Sequence, residues 1–522
     1  MRDPRGAHAL ADWGERLGFP KGDHSDWTQF SYEMAEYCRR DVDVTRKVWE
    51  ALEAYRNAFP GPCACEHRVG LILAQQEQHG FKLDRELARG IEGDLRQELT
   101  DIERELQQIF PPIIHERYSA KTGKRLKDKI EVFNPGSRPQ IAKRLKDKYD
   151  WESPEFTPQG APKIDESTLA QALFPEAKAL LRYFRCLKML GQVSDGDNAW
   201  LKLERQGYVH GAVNQCGAGT HRMSHFKPNV AQVDKDSLMR SCWGPDPGHV
   251  QVGCDAEGLE ARMLGHYLAR YDGGAFADRV LNGDKAKGTD IHSVNLKALS
   301  NLMVHAWSGK SITIGLRTRD GAKTYLYALM YGAGLWKLGF TILSDMRAAG
   351  VDFPAAWLKK GSKQCTAIGK LSSKAITAGM TGIDKLIADV QQAAKRGHLR
   401  ALDGRHLNVR SAHSALNTLL QGGGAIVMKY ALVILADRLE AAGLYQPYRP
   451  VLKDALLRGD YRDWVHFLAN VHDEWQMSCP PEHAQRVGEI AKQSITDAGV
   501  RLGVKCRLDG SFDVGSNWKE TH

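Results

Sequence analysis

No run in the sequence approaches the roughly 20 apolar residues that a membrane helix needs. The opening MRDPRGAHALADWG likewise lacks the apolar centre of a signal peptide. Both absences speak against a membrane or secretory role. The ten cysteines are scattered, and most sit in apolar surroundings, as Cys254 and Cys479 do. That is the pattern of reduced, buried thiols in a cytoplasmic protein. One stretch, GPCACEH, gathers Cys63, Cys65 and His67. It has no second ligand pair at a zinc-binding spacing, which excludes a zinc finger and leaves a linker. Internal repeats and low-complexity tracts are also missing, so solenoids and disordered arrays drop out.

What remains is an ordinary globular composition, 42% hydrophobic and 26% charged over 522 residues. On a prior of about 150 residues per domain, the length suggests three or four domains. The net charge of +9 leans towards an anionic partner. Residues 1 to about 60 read as two or three helices, before Pro-containing residues 60–66 break the pattern. Leu87, Ile91, Leu95, Leu99, Ile102, Leu106 and Ile109 keep helical spacing until Pro111 and Pro112 stop it. A basic loop follows, HERYSAKTGKRLKDK, placed to touch a DNA backbone or simply to be solvated. From about 208, β-like runs surround a mostly helical block at 272–405, which is an α+β pattern.

In TRDGAKTYLYALMYGAG, Arg319, Lys323, Tyr327 and Tyr331 recur at every fourth position, one stripe on a helix. Gly332 and Gly334 then close the segment. The cations stand at the helix start, where the macrodipole favours acids. The stripe fits an amphipathic helix with a solvated basic end. It also fits a helix start that faces phosphates, with backbone N–H groups, guanidinium and ammonium converging on them.

In HVQVGCDAEGLEARM a strand runs into Asp255 and a helix follows. In FLANVHDEWQMSC two apolar runs flank a tight turn presenting Asp473. Two such carboxylates brought side by side repel unless cations neutralise them, and Mg²⁺ takes this kind of oxygen site together with substrate phosphates.

With those residues on the page, CDAEGLEARM, RDGAKTYLYALMYG and VHDEWQ resemble motifs A, B and C of the family A DNA polymerases, nearest the replicative enzymes of short-tailed bacteriophages. GAGTHRMSHFKPNVAQV is similar to the segment that begins the palm, and VRSAHSALNTLLQGGGA, with His413, to the template-primer helix. The resemblance implies an α+β right-hand polymerase fold. Its parts would be an exonuclease-domain remnant at 1–60, a thumb at 61–207, a palm at 208–271 and 406–522, and fingers at 272–405. It implies a DNA polymerase that adds dNTPs to a primer on a DNA template, with two Mg²⁺ ions, or Mn²⁺ in their place, held by Asp255, Asp473 and the Ala256 carbonyl. Arg319 and Lys323 would bind the triphosphate with His292 helping. Tyr327 would pack on the incoming sugar and Tyr331 beside the template base. Glu260 would wall off the ribose 2′ position, its carboxylate near Tyr327. Arg222, Asn417, Gln421 and His413 would contact primer-template, and His472 and Glu474 would flank the primer end. Gly422, Gly423 and Gly424 cost a helix about 1 kcal/mol each, which implies close backbone or DNA approach.

Three departures qualify the resemblance. Thr220-His221-Arg222 stands where the family usually has Thr-Gly-Arg, which implies a different local turn. Only the basic segment at 113–131 stands where the phage branch carries a thioredoxin-binding insertion, so no thioredoxin dependence is expected. Tyr37 and Asp41 match the third exonuclease motif alone, so the chain is expected not to proofread by itself, with a separate exonuclease chain as the partner or a split or truncated polymerase as the alternative. Two rival readings are a single-subunit RNA polymerase, which typically lacks an acid at Glu260 and has Met at Tyr327, and a catalytically silent DNA-binding subunit. Loss of Asp255, Asp473 or Lys323 would mark the latter, and all three are present.

Overall fold

A computed structural model describes residues 9–522, apart from 154, 171, 173, 235–237 and 447–462. The chain opens with helices α1 (Leu10–Arg16), α2 (Tyr32–Ala51) and α3 (Glu53–Ala58). Ser31 caps α2 by accepting a hydrogen bond from the Met34 amide. The supposed linker is instead the first part of a 20-residue helix, α4 (Pro60–His79). Pro60 and Pro62 lie in its first turn, where an amide has no partner four residues back and a missing N–H costs nothing. Helix α5 (Arg85–Ile109) is capped by Asp84 and buries Ala88, Ile91, Leu95, Ile102 and Leu106.

The basic segment is not a loop. It forms an antiparallel hairpin, β1 (Ile113–Tyr118) and β2 (Arg125–Glu131), with Ile114 opposite Ile130. Charged side chains at most positions of β2 leave no apolar alternation to read, although the backbone pairs normally. Helix α6 (Pro175–Leu190) packs against α5, and the two build one hydrophobic core. That core extends to Val209, Trp243, Leu468 and Trp518, beyond position 207.

A four-stranded antiparallel sheet holds the second half together. In chain order its pieces are β3 (Val250–Ala256), β6 (His466–Val471), β7 (Glu474–Cys479) and β8 (Gly510–Gly515), with spatial order β6–β7–β3–β8. Between β3 and β6 come α7 (Leu259–Asp272), α8 (Ile291–Leu299), the hairpin β4 (Met303–Trp307) and β5 (Lys310–Ile314), then α9 (Arg319–Met330), α10 (Leu335–Ala348), α11 (Lys363–Gly379) and α12 (Ala415–Ala441). The β4–β5 hairpin interrupts the block expected to be helical. Its two-residue turn, Ser308-Gly309, has positive φ at both positions, as a type I′ turn requires. Helix α13 (Ala484–Arg501) covers β3 and β8, and α12 lies across α13.

By length and composition, the stretch Ala412–Ala441 around α12 is apolar enough to cross a membrane, contrary to the reading of the sequence. Most of it is buried inside the protein, so its apolarity serves the core. The three glycines of α12 have the same origin. A Cβ on Gly422 would lie 2.6 Å from Leu407, on Gly423 3.1 Å from the Met263 sulfur, and on Gly424 3.2 Å from Leu259. What comes close within the protein is α7 and Leu407.

Candidate active site

The register of the central sheet creates the site. Asp255, near the end of β3, is paired with Glu474 on β7 and with Ser511 on β8. The Ala256 amide donates to the Asp473 carbonyl at 3.0 Å, which fastens the β6–β7 turn to the end of β3. His472, in that turn, has φ 58, the left-handed conformation that lets the strand reverse in so few residues. Asp255 and Asp473 are thereby brought side by side. Burial, then the neighbouring Asp473 and Glu474 charges, push the Asp255 carboxyl up to about 7. Burial raises Asp473 as well. Burial, and at Asp255 the neighbouring anions, disfavour ionisation, and a divalent cation would offset this.

Glu474, expected at the primer end, is only 3% exposed. Trp518 Nε1 and Gln476 Nε2 donate to one of its oxygens, and Arg240 and His522 meet the other at 3.4 and 2.9 Å. Burial opposes its charge, yet the bonds from His522 and Arg240 hold its pKa below the usual value. Because Glu474 pairs directly with Asp255 across the two strands, their side chains share a sheet face, and its fixed negative charge acts on Asp255.

Glu260, in the first turn of α7, accepts from Tyr331 OH at 2.5 Å and from Arg222 Nη2 at 2.8 Å. The partner is thus Tyr331, one turn beyond the expected Tyr327. Burial first, then the Glu260 charge, raises the Tyr327 phenol. Glu260, Arg222, His472 and Asp473 line one cavity of about 240 Å³, together with Gly424, Met428 and Lys429 of α12. Burial and Arg222 lower the His472 pKa, so the ring there is held neutral. His221 has φ 61, the left-handed conformation that a glycine reaches without strain.

Helix α9 starts at Thr318, whose hydroxyl accepts from the Gly321 amide. The Asp345 carboxylate of α10 accepts from the Arg317 and Thr318 amides at 2.5 and 3.2 Å. Asp345 thus joins Asp320 of the helix's own first turn at the positive end of the dipole, and the Arg317, Thr318 and Gly321 amides are occupied. The side chains remain. Arg319 is held by Asp290 at 2.7 Å, and Lys323, one turn on, is exposed. Asp290 also caps α8 through the His292 amide, and its bonds to Arg319 outweigh burial, bringing its pKa to about 2. Burial and the Arg319 charge lower His292, and its Nδ1 is buried without a hydrogen-bond partner. Tyr327 and Tyr331 stand with ring centres 6.1 Å apart. At the helix end, a Cβ on Gly332 would lie 2.7 Å from the His413 carbonyl, which places His413 beside the stripe.

Asn417 and Gln421 are part-buried one turn apart on α12, and the Asn417 Oδ1 is buried without a partner. Tyr37 and Asp41 lie one turn apart on α2, where Lys21 pairs with Asp41 at 3.0 Å and sits over the Tyr37 ring. Among the described residues, neither trio of His, Cys, Asp or Glu close enough to share an ion includes Asp41, Asp255 or Asp473. Sequence reasoning missed Asp290, Asp345 and Lys429. Only Asp290 carried a signal, as an N-cap acid directly before a helix.

The family model described as DNA polymerase family A matches residues 113–520. The DNA-directed DNA polymerase of Enterobacteria phage T3 is 30% identical over 99% of this chain and 83% of its own length. That of Escherichia phage T7 is 29% identical over the same shares. In fold, the chain is similar to the POL domain of Pol1 from M. smegmatis, solved in complex with DNA primer-template and dNTP, at a TM-score of 0.70 and 17% identity over 98% of this chain and 79% of that one.

Proposed function

The chain belongs to DNA polymerase family A and is a DNA polymerase, and from that premise we propose how it works: it extends a DNA primer in phage replication, in the cytoplasm of the host cell, by two-metal phosphoryl transfer on Asp255 and Asp473. The observation that carries this reading is the Ala256–Asp473 backbone bond, which sets two under-neutralised carboxylates side by side. Asp255, Asp473 and the Ala256 carbonyl would hold two Mg²⁺ ions, with Mn²⁺ able to replace them. When bound, such ions lower the pKa of a primer 3′-hydroxyl and neutralise the triphosphate.

The remaining chemistry falls to side chains. Arg319 and Lys323 grip the triphosphate, and Lys323 neutralises charge on the departing pyrophosphate. Asp290 keeps the guanidinium aimed before the nucleotide arrives, and His292 adds a donor from α8. Tyr327 packs on the incoming sugar. Glu260, fixed from two sides by Tyr331 and Arg222, occupies the space a ribose 2′-hydroxyl would need. Tyr331 abuts the template base. Arg222, Asn417, Gln421, His413 and His472 contact primer-template, and Asn417 and Gln421 read acceptors common to every correct base pair.

In this reading α5, α6 and the β1–β2 hairpin belong to the thumb at 61–207. The central sheet and α12 form the palm at 208–271 and 406–522, and α8 to α11 the fingers at 272–405. Residues 1–60 resemble the end of an exonuclease domain, in which Lys21 pairs with one oxygen of Asp41 at 3.0 Å. Thioredoxin is not required. The acid at Glu260 favours deoxyribonucleotides over the RNA polymerase reading.

A 5′-labelled primer-template incubated with Mg²⁺, with and without dNTPs, tests the proposal. Extension with dNTPs, an intact primer without them, and loss of extension in Asp255→Ala are expected. Shortening without dNTPs that disappears in Asp41→Ala would overturn the exonuclease part alone. An inert wild-type chain would overturn the whole.

A further inference from the structure

A second cavity, of about 870 Å³, opens where the α3–α4 junction meets residues 393–406 and the end of α13. Arg396, Arg400 and Arg501 line it, and among the described residues no carboxylate pairs with any of the three. The single acid on its wall, Asp403, is taken by Arg405 at 2.8 Å. The cavity therefore carries three positive charges in excess. It is also aromatic. His398 and His406 stack with centres 3.9 Å apart, Phe59 meets His406 edge-on at 5.3 Å, and Arg501 sits 5.1 Å from the Tyr430 ring.

Charge and rings together select the ligand. Guanidiniums alone would suit any polyanion, an acidic peptide included. To aspartate or glutamate the interleaved rings offer only the histidine N–H groups, whereas to unpaired bases they offer stacking faces. A duplex hides those faces in its own stack. We propose that this cleft binds single-stranded DNA, with phosphates on Arg396, Arg400 and Arg501 and a base against the His406–Phe59 rings. The strand is the template not yet copied, which a template-directed polymerase always carries ahead of its primer end; the proposal rests on the polymerase reading in that respect. The wall is also wired to the active site. Asp403 holds Arg405, Arg405 holds Glu66, and Glu66 holds Lys429, which lines the catalytic cavity.

The test uses the full chain, a fluorescent oligothymidylate of about 16 nucleotides, and primer-templates with a one-nucleotide or an about 12-nucleotide 5′ overhang. Arg396→Ala/Arg400→Ala removes two exposed, unpaired side chains. It is expected to weaken oligothymidylate binding about tenfold or more near 0.1 M salt, and to lower the slope of log K against log[salt] by about 1.4, at ~0.7 per single-strand phosphate. Arg501→Ala should shift both in the same direction by about half. The one-nucleotide overhang should be extended at the wild-type rate by every variant, while affinity for the long overhang falls. Unchanged binding and slope would overturn the proposal. So would dTTP or poly-glutamate competing as well as the oligonucleotide, since either would mean a nucleotide or an acidic chain belongs there. Failure of the wild type to extend the one-nucleotide overhang would strike the polymerase reading instead, and oligothymidylate binding would still decide the cleft.

Discussion

At the scale of single residues, the site is held under electrostatic strain. Asp255 keeps its proton up to about pH 7 in the metal-free chain, whereas in the unfolded chain it ionises near 3.9. A raised carboxyl pKa means that the folded state disfavours the charge. The penalty is absent well below pH 4, grows between pH 4 and 7, and is fully present above. Asp255→Asn should therefore raise the Tm of the metal-free protein at pH 8 by about 1–3 °C, and leave it unchanged at pH 4. Adding Mg²⁺ should reverse the order, because only the wild type gains stability by binding the ion. Scanning calorimetry at the two pH values, with and without Mg²⁺, checks this; a variant less stable at pH 8 without metal would refute the strain. Glu260 answers to a different measurement. With its carboxylate fixed by Tyr331 and Arg222, Glu260→Ala should lower the dNTP:NTP preference about tenfold or more and slow dNTP incorporation. Identical kinetics for both sugars in wild type and variant would remove the wall from the proposal.

At the scale of elements, two glycines decide how closely α10 and α11 cross. A Cβ on Gly339 would lie 1.9 Å from the Cys365 carbonyl oxygen, and one on Gly369 1.8 Å from that of Leu335. Both obstacles are backbone, so no side-chain rotation relieves them. Gly339→Ala should cost about 1–3 kcal/mol despite the better helix propensity of alanine, which returns at most about 1. The damage should stay local, seen as faster hydrogen exchange in α10 and α11 with the central sheet unaffected. The same elements show what a sequence can and cannot disclose. Asp255 was legible because strand and helix periods meet at it, and the Arg319–Tyr331 stripe because it lies within one helix. The supports were not legible: Asp345 reaches the start of α9 from 28 residues away, and Arg222 reaches Glu260 from 38. The β1–β2 hairpin was hidden by charge, since alternation carries information only where one face is apolar. The helix at 60–79 was hidden by prolines that break a helix interior but suit its first turn.

At the scale of the whole molecule, one carboxylate joins parts of the chain far apart in sequence. Glu66 of α4 accepts from Arg405 in the Ala393–His406 region, from Lys429 of α12 at 2.7 Å, and from the Gln215 amide at 3.2 Å. Lys429 is 1% exposed and its ammonium also lies 3.2 Å from the Cys216 sulfur. Burial works against the Glu66 charge, but Lys429 and Arg405 hold its pKa below that of a free glutamate. A depressed pKa means stability present above the unfolded value, about 4.3, and lost as pH falls through the folded value. Glu66→Gln keeps the shape and removes the charge, leaving Lys429 buried beside Arg405 with no anion between them. Breaking a buried pair in this way costs about 3–5 kcal/mol. The loss should appear as a lower denaturant midpoint at pH 7, and should shrink as the wild type is taken below pH 4. Adding Lys429→Met should restore part of it, because the second change removes the stranded charge. Cys216 supplies a local readout: Glu66→Gln removes the carboxylate that raises its pKa and keeps the ammonium that lowers it, so its thiol should react faster with a maleimide. An unchanged midpoint and labelling rate would mean that water already reaches this joint and that the apolar cores alone align these segments.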